Sequence, residues 1–393
     1  MSFAMFDEIK GGICAIDGVK ANGIKEGKKG LSIILAEGCS AGVFTNNRIK
    51  AAPVVLTERN LDVKGRLRGI IANSGSANAF TGREGYDDAI QMAKLLADRI
   101  NSPIDEIGLL STGVIGERID LGWIKKNFEK VFSGLNNSEL ASKLANRGIM
   151  TTDTKEKEFA VEYNGIKIGG IAKGSGMIAP NMATMLSSIY TDADFSSHVL
   201  KRCLVKAVDK SFNMLSVDGD MSTNDTVIIT STNYVSAKED EFQDALDQVC
   251  IELAKKIAAD GEGATKYIEA HVKGAIDKID AKRAAKSIIE SNLVKTAIFG
   301  GDANWGRIIA AVGYSGAKVD EDKISLIMHA GGIDEEIIID GIIQRFSEDN
   351  LKYIMSKDRI FIEVDLGEGR EEATAFGCDL SYDYVKINGA YRT

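Results

Sequence analysis

Hydrophobic positions along the chain follow two regimes, with the change near residue 184. In the first, short apolar runs alternate with amphipathic stretches. GLSIILAEG, SAGVFTN, APVVLTE and GRLRGIIANSG predict buried or half-buried strands. Ile90, Ala93, Leu96 and Ala97 recur at helical spacing, which predicts a helix from about Tyr86 to Ile100. Further helices are expected from Leu121 to Phe132 and from Ser138 to Asn146. FAVEYNGIKIGGIA predicts a hairpin turning at Asn164-Gly165, since Asn and Gly tolerate the positive φ of a two-residue turn.

In the second regime helices come first. Phe195, Val199, Leu200, Cys203, Leu204, Ala207, Val208 and Phe212 keep one helical period, predicting an amphipathic helix over Asp194 to Met214. TVIITSTN reads as a strand, and Glu239 to Ala259 as a helix with Phe242, Leu246, Val249, Leu253 and Ile257 on one face. Another helix is expected over Ala281 to Lys295. From Lys323 the chain turns to strand patterns: KISLIMHAG, EEIIIDG, RIFIEVDLG, TAFGCDLS and YVKING. That shift predicts a smaller C-terminal α+β domain over 280–393, behind a mixed α/β core.

Composition narrows the function classes. The chain has 393 residues, 44% hydrophobic and 27% charged, which suits two or three globular domains. No apolar run approaches the roughly 20 residues of a membrane helix. Asp7 and Glu8 stand where a signal peptide carries positive charge, so a cytoplasmic protein is expected. A net charge of −9 with no basic block argues against nucleic acid as partner. Cys14, Cys39, Cys203, Cys250 and Cys378 are scattered and form no CxxC, which argues against a disulfide scaffold or a zinc site. His198, His271 and His329 lie in helical or strand-like patterns and read as structural. A histidine-dependent triad has little to work with, so any catalytic base is expected to be another group.

One stretch carries candidate chemistry: KGSGMIAPNMATML, from Lys173 to Leu186. Three readings compete for it. GSGMIA, with Asp194 twenty residues beyond Gly174, loosely fits a dinucleotide-binding turn. A crossover helix between parallel strands does not fit between Ala172 and Met185, however. The second reading is a surface loop with Thr184 opening a strand. In the third, the Thr184 hydroxyl attacks the carbonyl of Ala183, the chain is cut, and the new α-amine of Thr184 serves as base toward its own hydroxyl. Such an amine has an unperturbed pKa of roughly 7.7–8.0 and needs no histidine. Nearby, Asp218, Asp220, Asn224 and Asp225 resemble a calcium loop, but Thr223 occupies the glycine position and Ile229 the glutamate position. They read instead as polar scaffolding.

Nine motifs taken in order carry a resemblance over essentially the whole chain: FTNNRIKAAPV (44–54), NSGSANAFTG (73–82), STGVIGERI (111–119), MTTDT (150–154), KGSGMIAPNMATML (173–186), SVDGDMSTNDT (216–226), DGEGATK (260–266), GGDANWGRI (300–308) and NGAYRT (388–393). Together they resemble the ArgJ-type glutamate N-acetyltransferases, also called ornithine acetyltransferases. The resemblance implies a layered fold like that of N-terminal-nucleophile hydrolases of the aminopeptidase/esterase type. It implies cleavage between Ala183 and Thr184 into fragments 1–183 and 184–393 that stay together as an α2β2 heterotetramer. With the C-terminal domain, the expected units are 1–183, 184–279 and 280–393.

The implied reaction moves an acetyl group from N-acetylornithine to glutamate through an ester on Thr184, in arginine biosynthesis, with no cofactor. The implied oxyanion hole is Thr112 with Gly113, and the implied substrate-binding residues are Thr151, Lys173, Thr184, Glu262, Asn388 and Thr393. Lys173 suits a substrate carboxylate, and Glu262 suits the ornithine ammonium. NGAYRT would close the pocket, and Asn304 and Trp305 would border it. Two departures, Ser76 and Phe80 within SANAFTG, leave the nucleophile untouched. A related self-processing aminopeptidase or amidase, with water as acceptor, is the alternative enzyme; a binding protein that leaves the chain intact is the alternative outside catalysis. Whether acetyl-CoA is a second donor is open from sequence.

Overall fold

The expected hairpin is present: Lys157–Tyr163 and Ile166–Lys173 pair antiparallel around Asn164 and Gly165, whose φ values are +50° and +81°. The computed structural model describes residues 6–179 and 185–390. Among the described residues this hairpin belongs to a nine-stranded mixed sheet. Across that sheet run Asp7–Glu8, Lys157–Tyr163, Ile166–Lys173, Leu186–Ala193, Thr226–Val235, Lys29–Phe44, Arg66–Ser76 and Ile107–Val114, with Lys20–Glu26 paired to Lys29–Phe44. A second sheet has six strands in the order Ile342–Ile343, Ile333–Ile339, Ser325–Ala330, Arg359–Asp365, Tyr267–Ala275 and Glu371–Cys378. Tyr267–Ala275 thus pairs into this sheet from ahead of residue 280.

The layering follows from strands that are apolar on both sides. Every residue of Leu186–Ala193 is buried. Leu186 and Tyr190 join one core with Ile171 and Ile228, while Ile189 and Ala193 join another with Leu204 and Leu246. Alternation of period two therefore points apolar groups to both faces, and both need cover. Helix Glu239–Ala259 supplies cover that touches strands of both sheets. Gly82–Ile100 and Leu121–Ser133 build a further core with Ile107 and Leu109. The result is the layered α/β class the patterns lead one to expect.

Two stretches that read as strands are helices. APVVLTE lies in Ala52–Lys64, where Pro53 sits in the first turn with its φ already helical, and Pro53, Val54, Thr57, Asn60 and Leu61 are buried. YVKING lies in Tyr382–Ala390, whose Tyr384, Ile387 and Asn388 share the half-buried face. GLSIILAEG and SAGVFTN merge into the single strand Lys29–Phe44, with a register shift between Leu35 and Gly38. The helix expected over Ala281 to Lys295 is two, Lys278–Glu290 and Asn292–Phe299, because Ser291 caps the second by accepting from Val294 N–H. Likewise Asp194 to Met214 resolves into Ser197–Lys210 and a 3-10 turn, Phe212–Met214.

Candidate active site

Near its C-terminal end strand Ile107–Val114 carries the triplet Ser111-Thr112-Gly113, paired in parallel with Asn73, Ser74 and Gly75 of the neighbouring strand. Gly113 has φ +134°, and a Cβ there would lie 2.3 Å from the carbonyl carbon of Gly75. Only glycine lets the two backbones meet this closely, so Gly113 permits a tight approach of neighbouring strands at this end of the sheet. Thr112 is buried beside it.

Lys173 closes the last rung of the sheet opposite Leu186, which sends its side chain into the interior. Its Nζ donates to Thr151 Oγ1 at 2.9 Å and to Thr112 Oγ1 at 3.3 Å, and lies 3.9 Å from Asp153 Oδ2. An ammonium cannot accept, so both hydroxyls keep their own protons free to donate elsewhere. Burial pushes the Lys173 pKa down, and the Asp153 carboxylate opposes that shift. Asp153 in turn accepts from Lys157 Nζ at 2.7 Å, Gly174 N–H at 2.6 Å and Thr151 N–H at 3.0 Å. Burial alone would raise the Asp153 pKa; the Lys173 and Lys157 charges and these donors hold it below the usual carboxylate range. Lys157 Nζ also donates to Asp260 Oδ2 at 2.5 Å. Two ammonium groups and two carboxylates therefore alternate in a buried chain behind the cavity.

That cavity has a volume of about 170 Å3, and its lining includes Thr112, Gly113, Thr151, Lys173, Glu262 and Asn388. Each of these candidate residues in the described part of the chain is thus brought to one place. Ala183, Thr184 and Thr393 lie outside the described residues. Helix Tyr382–Ala390 reaches the cavity through Asn388, whose Nδ2 donates to Glu262 Oε2 at 2.7 Å, and Tyr384, whose hydroxyl donates to Asp218 Oδ2 at 3.2 Å. Gly176 is needed beneath Glu262: a Cβ there would sit 2.3 Å from the carboxylate.

Sequence reasoning missed several contributors. Asp153, Lys157 and Asp260 form the charge chain, yet nothing in MTTDT, KEFAVEY or DGEGATK separately signals a shared network. Asn224, read as scaffolding, fastens the walls together: its Nδ2 donates to Ala77 C=O at 2.7 Å and Ser111 C=O at 2.8 Å. Thr45 of FTNNRIK donates to Ser222 C=O at 2.8 Å, and Ala51 N–H to Thr223 C=O at 2.9 Å. Behind Thr151, Lys25 Nζ donates to Ser74 Oγ at 2.8 Å and to Met150 C=O; burial and the Lys173 charge lower its pKa to about 8. Asn304 and Trp305, expected at the cavity, instead line a separate cleft with Phe346 and Leu351. Asn304 precedes helix Trp305–Gly313 in a left-handed conformation, and Trp305 opens that helix.

Fold and site together define a layered α/β protein with a small polar cavity, in which hydroxyls, an ammonium and a carboxylate converge and, among the described residues, no histidine lines the wall. The chain belongs to the ArgJ family, whose model matches residues 16–393. It is 52% identical to a glutamate N-acetyltransferase from Methanosarcina acetivorans, over 98% of this chain and 100% of that one. An arginine biosynthesis bifunctional protein ArgJ from Archaeoglobus fulgidus is 47% identical, over 97% of this chain and 100% of the relative. Among solved structures, that of the arginine biosynthesis bifunctional protein argJ from Bacillus halodurans is 41% identical with TM-score 0.49, covering 53% of this chain and 100% of that one. Among the described residues no helix is long and apolar enough to cross a membrane.

Proposed function

We propose that this chain is a self-cleaving acetyltransferase that moves the acetyl group of N-acetylornithine to glutamate, in the cytoplasm and as part of arginine biosynthesis. The observation that carries the reading is the convergence of Thr112, Gly113, Thr151, Lys173, Glu262 and Asn388 on one cavity sized for a small amino acid derivative. Family membership, and relatives bearing glutamate N-acetyltransferase names, support it.

In this mechanism the Thr184 hydroxyl adds to the acetyl carbonyl while its own α-amine takes the proton. The developing oxyanion is met by the Thr112 hydroxyl and the Gly113 N–H, with Thr112 held by Lys173. The C–N bond then breaks, the nitrogen takes the proton, and ornithine leaves. The α-amine of glutamate attacks the acetyl ester in the mirror-image step and restores the Thr184 hydroxyl. Lys173 faces the substrate carboxylate, and Glu262, steadied by Asn388, faces the ornithine side-chain ammonium. Thr151 and Thr393 complete the set of hydroxyls at the site. No cofactor enters the scheme. Fragments 1–183 and 184–393 stay associated as α2β2, on a fold of the N-terminal-nucleophile type, and 280–393 is the smaller C-terminal domain.

The test is a transfer assay on purified protein with N-acetylornithine as donor and glutamate as acceptor. Ornithine and N-acetylglutamate should appear in equal amounts. Ornithine with free acetate, and no N-acetylglutamate, would assign a hydrolase instead. Replacing the donor with acetyl-CoA decides whether the chain also serves as a first-step enzyme.

A further inference from the structure

Two stretches of backbone flank the segment 180–184, and aspartates of a single loop hold both. On the upstream side, Met177 N–H donates to Asp218 Oδ2 at 2.7 Å and Ile178 N–H to Asp218 Oδ1 at 2.8 Å. Met177 has φ +56°, a left-handed conformation that a side chain other than glycine holds only when its surroundings enforce it. Ile178 C=O accepts from Val217 N–H of the same loop at 3.0 Å. On the downstream side, Met185 N–H donates to Asp225 Oδ1 at 3.0 Å, and Met185 C=O accepts from Thr226 N–H at 3.1 Å.

Met185 lies just outside the sheet ladder, which begins with Lys173 opposite Leu186. Its N–H therefore has no strand to donate to, and the Asp225 carboxyl takes the strand's place. Asp225 is fully buried, and its second oxygen has no hydrogen-bond partner among the described residues. A buried carboxyl with one oxygen unpaired is expensive to keep, and here its other oxygen holds the peptide group of Met185. The loop itself is rigid, tied by Asn224 to Ala77 and Ser111 and by Thr45 to Ser222.

We propose that Asp218 and Asp225 are positioning residues for self-cleavage, fixing the backbone on either side of the Ala183–Thr184 bond so that the hydroxyl attacks its own chain. This deepens the self-cleavage reading above and rests on it. In the step, the Thr184 oxygen bonds to the Ala183 carbonyl carbon, the C–N bond breaks, and the hydroxyl proton passes to the departing nitrogen. Water then splits the ester, leaving the Ala183 carboxyl group and the Thr184 hydroxyl. Neither aspartate takes part in bond making; each acts through the peptide groups it holds. Fixing Met177, Ile178 and Met185 narrows the conformations open to the chain between them, and such restriction is a source of large intramolecular rate gains. Asp225 accepts from Met185 N–H through one carboxyl oxygen, a role the side-chain amide oxygen of asparagine can also fill.

Full-length chain is made by cell-free translation, and the loss of intact polypeptide is followed on denaturing gels for wild type, Asp225→Ala, Asp225→Asn and Asp218→Ala, with thermal midpoints measured in parallel. Asp225→Ala and Asp218→Ala should slow cleavage by about tenfold or more, while Asp225→Asn stays within about threefold of wild type. Rescue by asparagine is the outcome general destabilisation does not produce if Asp225→Asn and Asp225→Ala share a lowered midpoint. Alanine variants that cleave at the wild-type rate overturn the proposal, as does an asparagine variant as slow as alanine. Should Asp225→Ala fail to fold, Asp218→Ala and Asp225→Asn decide the matter by the same criteria. A wild-type chain that stays whole overturns the self-cleavage reading and this proposal with it; a cut wild type with equally cut variants overturns this proposal alone.

Discussion

Replacing Lys173 with methionine separates the charge chain's role in the cavity from its role in folding. The side chain keeps its length but loses the ammonium that holds Thr151 and Thr112 and faces the cavity. Hydrogen bonds to charged groups contribute about 1.5–3 kcal/mol. Lost at the transition state, that energy lowers kcat/KM about 10- to 150-fold. The loss should appear in kcat as well as KM, because Thr112 loses the donor that orients its hydroxyl. Stability should change little: Asp153 still accepts from Lys157 at 2.7 Å, Gly174 at 2.6 Å and Thr151 at 3.0 Å, so its charge stays paired. Lys157→Met is the contrast. It strips the cation shared by Asp153 and Asp260, both buried, and breaking such a pair costs about 3–5 kcal/mol. Steady-state kinetics with each amino acid substrate, beside chemical denaturation of both variants, make the comparison. A Lys173→Met enzyme within about threefold of wild type in kcat/KM, or one destabilised as much as Lys157→Met, refutes the reasoning.

Thr184→Ala should yield one uncut polypeptide on a denaturing gel; two fragments from that variant would remove the hydroxyl from the cleavage step. Gly113→Ala drives a methyl toward the Gly75 carbonyl carbon, 2.3 Å away, and should lower kcat by about 10²–10³-fold through displacement of the proposed oxyanion donors. Unchanged kcat in a folded variant would place the oxyanion elsewhere. Lys25 has a folded pKa of about 8 against 10.5 for the free group, so the unfolded chain binds more protons between those values. Its contribution therefore opposes folding below about pH 8 and is relieved as pH rises toward 10.5. Lys25→Met should remove that relative gain, and wild-type and variant midpoints that run parallel over the same interval would contradict it.

Local signals were legible where chemistry acts over a few residues. Asn164-Gly165 announces its turn because few residue pairs accept two positive φ values, and the helix over Glu239–Ala259 announces itself by period. APVVLTE misleads because a short apolar run has no period of its own; the buried partners of Val54, Thr57 and Leu61, not their order, make it a helix. The same limit explains Tyr382–Ala390, whose pairing face is set by Glu262 and Asp218, more than a hundred positions earlier.

For the site, candidates were assigned motif by motif only through the resemblance that nine motifs in order carry; taken alone, the STG triplet or a single glutamate does not mark a site. How those candidates meet was decided only in three dimensions. Asp153, Lys157, Lys173 and Asp260 neutralise one another because folding brings distant segments within hydrogen-bond reach inside a low-dielectric interior, where unpaired charge is costly. Pairwise electrostatics of that kind depends on separation in space, and separation in sequence does not report it.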